Sequence, residues 1–268
     1  METIDINKLS YEGKIDLASN NETSAELLAI LAKDDEWRVR EAVAKNVNAP
    51  IELLIVLAQD KHCWVRGAVA ENENTSADVL AMLAKDKDCY VRKTVARNKN
   101  TPIELLTILA KDTDWRVRID VAENKSTSIE TLAMLAQDKD ADVRSEVALN
   151  ENTSVDMLAV LAKDEDNGVR WAVAENENTS IDVLAMLAQD EMWRVRNAIA
   201  GNINTPADVL AMLAKDVDVD VRCMVTDNKN TSVETLVMLS KDNNEWVSEA
   251  AIKALSKNKE RSKNSIER

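Results

Sequence analysis

The chain has 268 residues, 45% of them hydrophobic, and a formal net charge of −14. This composition excludes global disorder, and the acidity disfavours a general binder of polyanions, which needs clustered Lys and Arg. With only 4 Gly and 3 Pro, helices joined by short polar loops are favoured over a fold rich in tight turns. Because no apolar run reaches the length of a membrane span and the N-terminal residues lack the apolar core of a signal peptide, we expect a cytoplasmic protein without a membrane partner.

Residues 1–20 are predicted to form an N-terminal cap that contains half a repeat. Its last residues, Leu17, Ala18 and Asn20, match the Val-Ala-x-Asn ending that returns through the rest of the chain. A terminal unit of this kind closes the open end of a stack of repeats.

Residues 21–254 are predicted to form nine repeats. The pair Val39-Arg40 recurs every 26 residues without an insertion as far as Val221-Arg222, and Val247-Ser248 is a degenerate ninth copy. A fixed period of this size indicates stacked units that bury their apolar faces against their neighbours. Residues 255–268 are expected to be a polar, frayed tail, so the chain is interpreted as one solenoid domain.

Residues 75–98 show the predicted first helix of a repeat. Thr75 stands at the predicted N-cap, and Asp78 occupies a place that is acidic in all nine repeats. Carboxylates there suit the positive end of the helix dipole. Leu80 and Leu83 give the helix one apolar stripe.

A second, shorter helix of about two turns is predicted to complete each repeat. In the same repeat Asp88 stands at its N-cap, and Val91 and Val95 lie four residues apart, on the face that should point to the core.

Three polar rows recur once per repeat, and we interpret them as structural. They are an Asp near the end of the first helix, the Arg of the Val-Arg pair and an Asn at the exit of the second helix. Because the helix dipole disfavours an acid at a C-terminus, the Asp needs a partner, and the Arg six residues later can bridge to it within or between repeats. The Asn tolerates left-handed backbone and can satisfy the backbone groups of a loop, which fits a helix exit. Two successive repeats supply Asp86, Arg92, Asn98, Asp112, Arg118 and Asn124.

The string VRxxVAxN, followed by TP or TS and then LLxxLAxD, recurs along the chain with substitutions. This pattern resembles the leucine-rich repeat variant family and HEAT-like repeats over about residues 13–255. The resemblance implies an all-α fold: a right-handed α-solenoid (superhelix) of nine 26-residue two-helix repeats with terminal caps, in which longer α-helices alternate with shorter α- or 3₁₀-helices. Some members carry an iron–sulfur cluster on an N-terminal cysteine group. No cysteine precedes Cys63 here, so no cofactor is expected.

The positions that differ among the repeats lie beside the Val-Arg pair and are predicted to project to one outward face of the second helices. All aromatic residues except Tyr11 fall on this face, Trp246 included. Since Trp, Tyr and Arg are enriched in binding hot spots, we predict a partner-binding face that comprises Trp37, Arg38, Trp64, Tyr90, Trp115, Arg116, Trp171, Trp193 and Arg194.

Two interpretations of this aromatic face remain open. The rings can line a groove that grips an extended partner, with the most anchors in the N-terminal half, or each Trp can lie flat over the next repeat and seal the stack. On the first interpretation the chain is a monomeric, non-enzymatic scaffold for a protein or an extended peptide.

The alternative function is nucleic-acid binding, because some HEAT-like solenoids are alkyl-purine DNA glycosylases that use a concave basic face, Trp stacking and an Asp. No basic run tracks the predicted face here, and the net charge of −14 disfavours this alternative. The face is instead mixed in charge, with Asp120, Asp142, Glu146 and Asp220 beside Arg38, Lys93, Arg116 and Arg194.

No catalytic or metal-binding residues are predicted, because the chain has no phosphate-binding Gly loop and no paired CxxC spacing. The single histidine, His62, is interpreted as a solvated loop residue, against a metal or acid–base role beside Cys63. Cys63 and Cys89 occupy equivalent places in neighbouring repeats, where packed helices stand too far apart for a disulfide. We therefore expect free thiols.

Overall fold

The described part of the chain consists of helices and short loops. The computed structural model describes the backbone of residues 6–266 and the side chains of residue 6 and of residues 8–257. Residues 1–5 of the predicted cap and residues 267–268 of the predicted tail lie outside that range. Within it, a short 3₁₀-helix, Ile6–Lys8, precedes 19 α-helices and no strand is found.

Contacts group the chain into two compact units, Met1–Leu135 and Ala136–Arg268. The first unit contains α1 (Tyr11–Ser19), α2 (Ala25–Leu31), α3 (Trp37–Lys45), α4 (Ile51–Leu57), α5 (Cys63–Glu71), α6 (Ala77–Leu83), α7 (Cys89–Arg97), α8 (Ile103–Leu109), α9 (Trp115–Glu123) and α10 (Ile129–Leu135). The second unit contains α11 (Ala141–Leu149), α12 (Val155–Leu161), α13 (Asn167–Glu175), α14 (Ile181–Leu187), α15 (Trp193–Gly201), α16 (Ala207–Leu213), α17 (Val219–Asp227), α18 (Val233–Leu239) and α19 (Glu245–Ile266). The expectation that the whole chain is one solenoid domain stays a prediction.

Each repeat pairs a first helix (α2, α4 and the other even-numbered helices) with a second helix (α3, α5 and the later odd-numbered ones). Neighbouring helices pack in sequence order, which confirms the all-α solenoid of about 26-residue repeats. The prediction of a shorter second helix is wrong: α6 has 7 residues and α7 has 9, and both are α-helical. The second helix is longer because it runs without interruption from its Asp cap to the exit Asn.

The start of the first helix lies one residue later than the sequence suggests. Ser76 is the N-cap of α6, and its hydroxyl accepts a hydrogen bond from the amide of Val79 at 3.4 Å. Thr75 is buried, and its hydroxyl donates to the carbonyl of Val69 at 2.5 Å. Both residues carry a hydroxyl that can cap a helix, so the sequence alone does not separate them. The prolines Pro50 and Pro102 occupy the same N-cap place in other repeats.

The core of each repeat is aliphatic and lies between the two helices. Leu80 and Leu83 of α6 and Val91 and Val95 of α7 are at most 1% exposed. Within each unit, consecutive second helices also pack directly against each other, from α1 to α9 and from α11 to α19. The second helices therefore form a continuous layer inside each unit.

The Asp and Arg rows join neighbouring repeats. Arg92 donates from Nε to Oδ2 of Asp112 at 2.6 Å and from a terminal nitrogen to Oδ1 at 2.9 Å, while its other terminal nitrogen donates to the carbonyl of Asp86 at 2.9 Å. Arg118 likewise donates to the carbonyl of Asp112 at 2.8 Å. Burial alone would raise the pKa of Asp112, but hydrogen bonds from Arg92 and from the amide of Asp114 outweigh it and hold that pKa below its usual value.

The Asn row also connects each repeat to the preceding one. Asn98 is buried, and its side-chain amide donates to the carbonyls of Ala70 at 2.7 Å and Asn72 at 3.2 Å, while its Oδ1 accepts from the amide of Asn100 at 2.8 Å. Asn124 makes the same bonds to the carbonyls of Ala96 and Asn98. The predicted left-handed backbone is wrong, because no described non-glycine residue has a positive φ.

The two chain ends depart from this pattern. At the N-terminus, Lys14 of α1 takes the place of the Arg and bonds to Asp34 at 2.7 Å. At the C-terminus, Ala254 stands where an exit Asn would end the helix, and α19 continues to Ile266. The predicted polar tail is therefore helical as far as the backbone is described, instead of frayed from Ser256.

Candidate functional site

The outward face of the second helices carries the aromatic residues at their first, second and fifth positions. The exposure of the rings differs from repeat to repeat. Trp37 and Tyr90 are half-buried, whereas Trp64 is 44% exposed, Trp115 42%, Trp171 40%, Trp193 37% and Trp246 76%.

Trp37 packs against the following repeat. Its ring stacks on His62 with the centroids 4.2 Å apart and an angle of 3° between the planes, and the guanidinium of Arg38 lies 4.6 Å from the Trp37 centroid on its own helix. His62 is the N-cap residue of α5, and its buried Nδ1 has no hydrogen-bond partner. His62 therefore lies in the loop at the cap position, as predicted, but it is half-buried against the indole and not fully solvated.

Trp64 and Tyr90 form a second contact across repeats. They occupy equivalent positions in α5 and α7, and their centroids lie 4.3 Å apart with an angle of 51° between the planes. The Tyr90 ring lies over Gly67, where an added Cβ would approach Tyr90 Cε1 to 2.2 Å. Gly67 was not singled out in the sequence, although it is a glycine at a place where other repeats carry side chains.

Trp115 and Arg116 start α9, and both are exposed. The guanidinium of Arg116 donates twice to the carboxylate of Asp114, at 3.0 and 2.7 Å, and reaches Sγ of Cys89 at 3.3 Å. Asp114 also caps the helix by accepting from the amide of Arg116 at 3.0 Å. Hydrogen bonds from Arg116 hold the pKa of Asp114 far below its usual range. An exposed indole and a guanidinium in a fixed position therefore stand side by side.

The second unit presents a similar pair. Arg194 lies 5.5 Å from the ring centroid of Trp193 at the start of α15, and both residues are exposed. Trp171 lies on α13, and Trp246 lines a groove of about 530 Å³ between α17 and α19 together with Lys253.

Asp120 does not belong to the outward surface on which the sequence placed it. It is 1% exposed, with Arg97 Nε 3.0 Å from Oδ1 and Lys93 Nζ 3.9 Å from Oδ2, and neither carboxylate oxygen meets hydrogen-bond geometry. Burial raises the pKa of Asp120 to about 6, and the nearby Arg97 and Lys93 only partly oppose this. The sequence feature that could have indicated its burial is that Asp120 stands at a position occupied by Ala in five of the nine repeats.

The described residues give no site for a metal ion: among the described side chains, no group of three or more His, Cys, Asp or Glu is placed to hold one. The cysteines Cys63, Cys89 and Cys223 are free thiols. Across residues 6–266, none of the helices combines the length and the apolar character that crossing a bilayer requires.

The fold and this face define the chain as an α-helical repeat scaffold. Among solved structures, the chain is similar to a leucine-rich repeat variant with a novel repetitive protein structural motif. The two sequences are 27% identical, the match covers 84% of this chain and 88% of that chain, and the TM-score is 0.64. Weaker likenesses are to YibA of Escherichia coli (20% identity, 93% and 98% covered, TM-score 0.48) and to an engineered protein (17%, 91% and 94%, TM-score 0.43). No protein-family model and no curated protein matches the sequence.

Proposed function

We propose that the chain is a non-enzymatic scaffold that binds a protein or an extended peptide through the outward face of its second helices. The observation that carries this proposal is the pair Trp115 and Arg116, in which a 42% exposed indole stands beside a guanidinium already fixed by Asp114. Binding hot spots are enriched in these two residue types, and anchors fixed before binding lose less entropy when the complex forms.

The ring contacts divide the predicted binding residues into two groups. Trp37 and Tyr90 contact the neighbouring repeat, so sealing of the stack accounts for at least part of their presence. Trp115, Trp171 and Trp193 keep more than a third of their surface exposed. We therefore assign the main anchoring role to the exposed group and a supporting role to Arg38, Trp64, Arg194 and the two covered rings.

The spacing of the second helices suits an extended partner. Packed helices stand about 8–10 Å apart, and an extended chain advances about 3.3 Å per residue. A peptide that crosses the layer of second helices in one unit therefore meets a new repeat about every third residue. One copy of the scaffold suffices for such binding, and we expect the aromatic face itself not to self-associate.

The test is a pull-down from nuclease-treated host lysate with three baits. These are the wild type, a Trp115→Ala/Trp193→Ala variant and a control variant, Trp37→Ala/Trp64→Ala, which removes the same number of indoles from the ring contacts. All three must first show equal helical circular dichroism and a cooperative melt. We expect one protein to be retained by the wild type, retained less strongly by the control because it loses only supporting contacts, and lost from the Trp115→Ala/Trp193→Ala bait.

Two results would contradict the proposal. Equal retention on all three baits would show that the exposed indoles are not part of the binding face. Retention that requires nucleic acid and falls steeply with salt would favour the nucleic-acid alternative, because neutralised phosphates release counterions on binding.

A further inference from the structure

The outward surface of the first helices carries an apolar row that the core does not use. The sixth residue of every first helix is Ile, Val or Met. The first unit exposes Ile30 by 55%, Val56 by 64%, Met82 by 40% and Ile108 by 62%. The second unit exposes Val160 by 70%, Met186 by 40%, Met212 by 40% and Met238 by 38%. The ninth member of the row, Met134 at the end of the first unit, is half-buried. Single exposed apolar residues are ordinary on protein surfaces, but a row of four exposed ones in each unit indicates an interaction surface.

Two charged rows flank the apolar row. The second residue of every first helix is Asp or Glu, and the position three residues after the apolar one is Lys or Gln and never an acid. At α6 these residues are Asp78 and, just after the helix, Lys85; at α8 they are Glu104 and, just after the helix, Lys111. All four are exposed. Helix dipoles favour acids at N-termini and cations at C-termini, which accounts for the two charged rows. They do not account for the apolar row between them.

We propose that the outward face of the first helices, called here the first-helix face, pairs with the same face of a second copy of this chain. Rotation by half a turn about an axis parallel to the rows lays the apolar row of one copy on that of the other. The same rotation sets the acids of each repeat against the lysines of the equivalent repeat and makes the facing helices antiparallel. Rotation about an axis along the helices would instead set acids against acids.

A second copy fits this face better than an unrelated partner does. Its rows have the same spacing from repeat to repeat, so every row stays in register within a unit. The contact is isologous, and it therefore closes as a dimer and does not extend into a filament. Because surface ion pairs contribute little, the apolar row supplies the affinity and the charged rows set the orientation. The net charge of −14 on each copy opposes the contact, which makes the apolar row necessary.

The first test is the mass of the purified protein, measured by light scattering from about 1 μM to about 1 mM. We expect the mass to rise from one chain of 29.8 kDa towards two. A Val56→Lys/Ile108→Lys variant should require at least about tenfold higher concentration for the same rise, since both side chains are more than 60% exposed and are not needed for folding. Trp115→Ala, on the other face, should behave as the wild type.

Several outcomes would overturn the proposal. A mass of one chain at all concentrations would do so, and so would self-association that persists in Val56→Lys/Ile108→Lys. Self-association that disappears in Trp115→Ala would place the contact on the aromatic face. None of these measurements involves a partner, so their failure is distinguishable from failure of the proposed scaffold function.

A charge exchange tests the orientation. Lys85→Glu/Lys111→Glu makes both charged rows acidic in two repeats, and Asp78→Lys/Glu104→Lys makes both rows basic there. In a homodimer of either variant, the substituted residues of the two repeats face residues of the same charge. In a heterodimer of the two variants, all four facing pairs of these residues carry opposite charges. We expect each variant alone to need a higher concentration than the wild type for the same rise in mass, and the equimolar mixture to need a lower one than either variant. A mixture that associates no better than the variants alone, or variants that associate as well as the wild type, would contradict this arrangement.

Discussion

Positions that are the same in the first eight repeats and positions that differ among them play different physical roles in this chain. Arg92 and Asn98 belong to the constant positions, and both bond to the neighbouring repeats. Among the variable positions, Trp64 contacts the next repeat, Trp115 is exposed, and Asp120 is buried without a hydrogen bond. The constant residues therefore form the bonds between repeats. The variable residues are of two kinds: some are candidate binding residues, and others pack in a way that is particular to one pair of repeats.

The largest expected effect comes from breaking a constant position. Arg92→Ala should lower the free energy of unfolding by about 3 kcal/mol, because it leaves the nearly buried Asp112 without its partner. Urea denaturation followed by circular dichroism measures the change. The control is Arg116→Ala, an exposed arginine at a variable position that should have only a small effect. Equal losses in the two variants would contradict the distinction between constant and variable positions.

The next largest effect should be a gain of stability at Asp120. Because its folded-state pKa of about 6 lies above the ordinary 3.8, ionisation of this carboxylate destabilises the fold. The penalty is absent below the ordinary pKa, grows as pH rises from there to about 6, and is fully present above it. Asp120→Ala, which restores the residue of most repeats, should therefore stabilise the protein by about 3 kcal/mol at pH 7 and by about half of that at pH 5.

Unfolding curves of the wild type and Asp120→Ala at the two pH values test this effect. If the variant is less stable at pH 7, the pairing with Arg97 and Lys93 outweighs the cost of burial, and Asp120 would belong with the stabilising positions.

A smaller effect separates the two kinds of aromatic residue. Trp64 and Trp115 are 44% and 42% exposed, so truncation to Ala removes similar buried area from each. Only Trp64 contacts another ring, and such pairs contribute about 1 kcal/mol beyond their area. Trp64→Ala should therefore destabilise the protein by about 1 kcal/mol more than Trp115→Ala in thermal or urea unfolding. The opposite order would assign the packing role to Trp115.

The smallest effect concerns two glycines on second helices. Gly201→Ala should stabilise the protein by about 0.5 kcal/mol through helix propensity, because its new Cβ would only touch Met224 Sδ at 3.5 Å. Gly67→Ala should give no gain, since the Tyr90 ring occupies that space at 2.2 Å. The gain should return in Gly67→Ala when Tyr90 is also changed to Ala, measured against Tyr90→Ala alone. A gain in Gly67→Ala by itself would show that the ring moves aside without cost.

The fold could be predicted from the sequence because its period, its leucines and its Val-Arg pair repeat without an insertion. The errors fall where the sequence offers two equivalent groups or where partners lie in another repeat. Thr75 and Ser76 can both cap a helix, and only packing selects Ser76. Local preference gave Asn98 a left-handed backbone, whereas its bonds reach carbonyls 26 and 28 residues back and need no such backbone.

The candidate site was predictable in composition and not in detail. The sequence placed the aromatic residues on one face, but the contact between Trp64 and Tyr90 depends on the spacing and rotation of successive helices. The same holds for Asp120, which the pattern treats as outward and the packing of α7 against α9 covers. The sequence alone does not distinguish the apolar row of the first helices from residues beside the core, because a seven-residue helix is too short for its periodicity to separate two apolar faces.

The hydrogen bonds between repeats also bear on how the length of such a chain can change. In the stretches described above, each Asn side chain donates to the preceding repeat and each Arg to the following one, and α1 supplies the first partners through Lys14 and the carbonyl of Ala18. These Asn and Arg bonds are chemically the same at the junctions described within each unit, so a copied repeat placed between two others of one unit finds partners for both side chains already in position. Duplication or deletion of 26 codons would therefore alter the number of variable outward positions while leaving these bonds at the remaining junctions as they are.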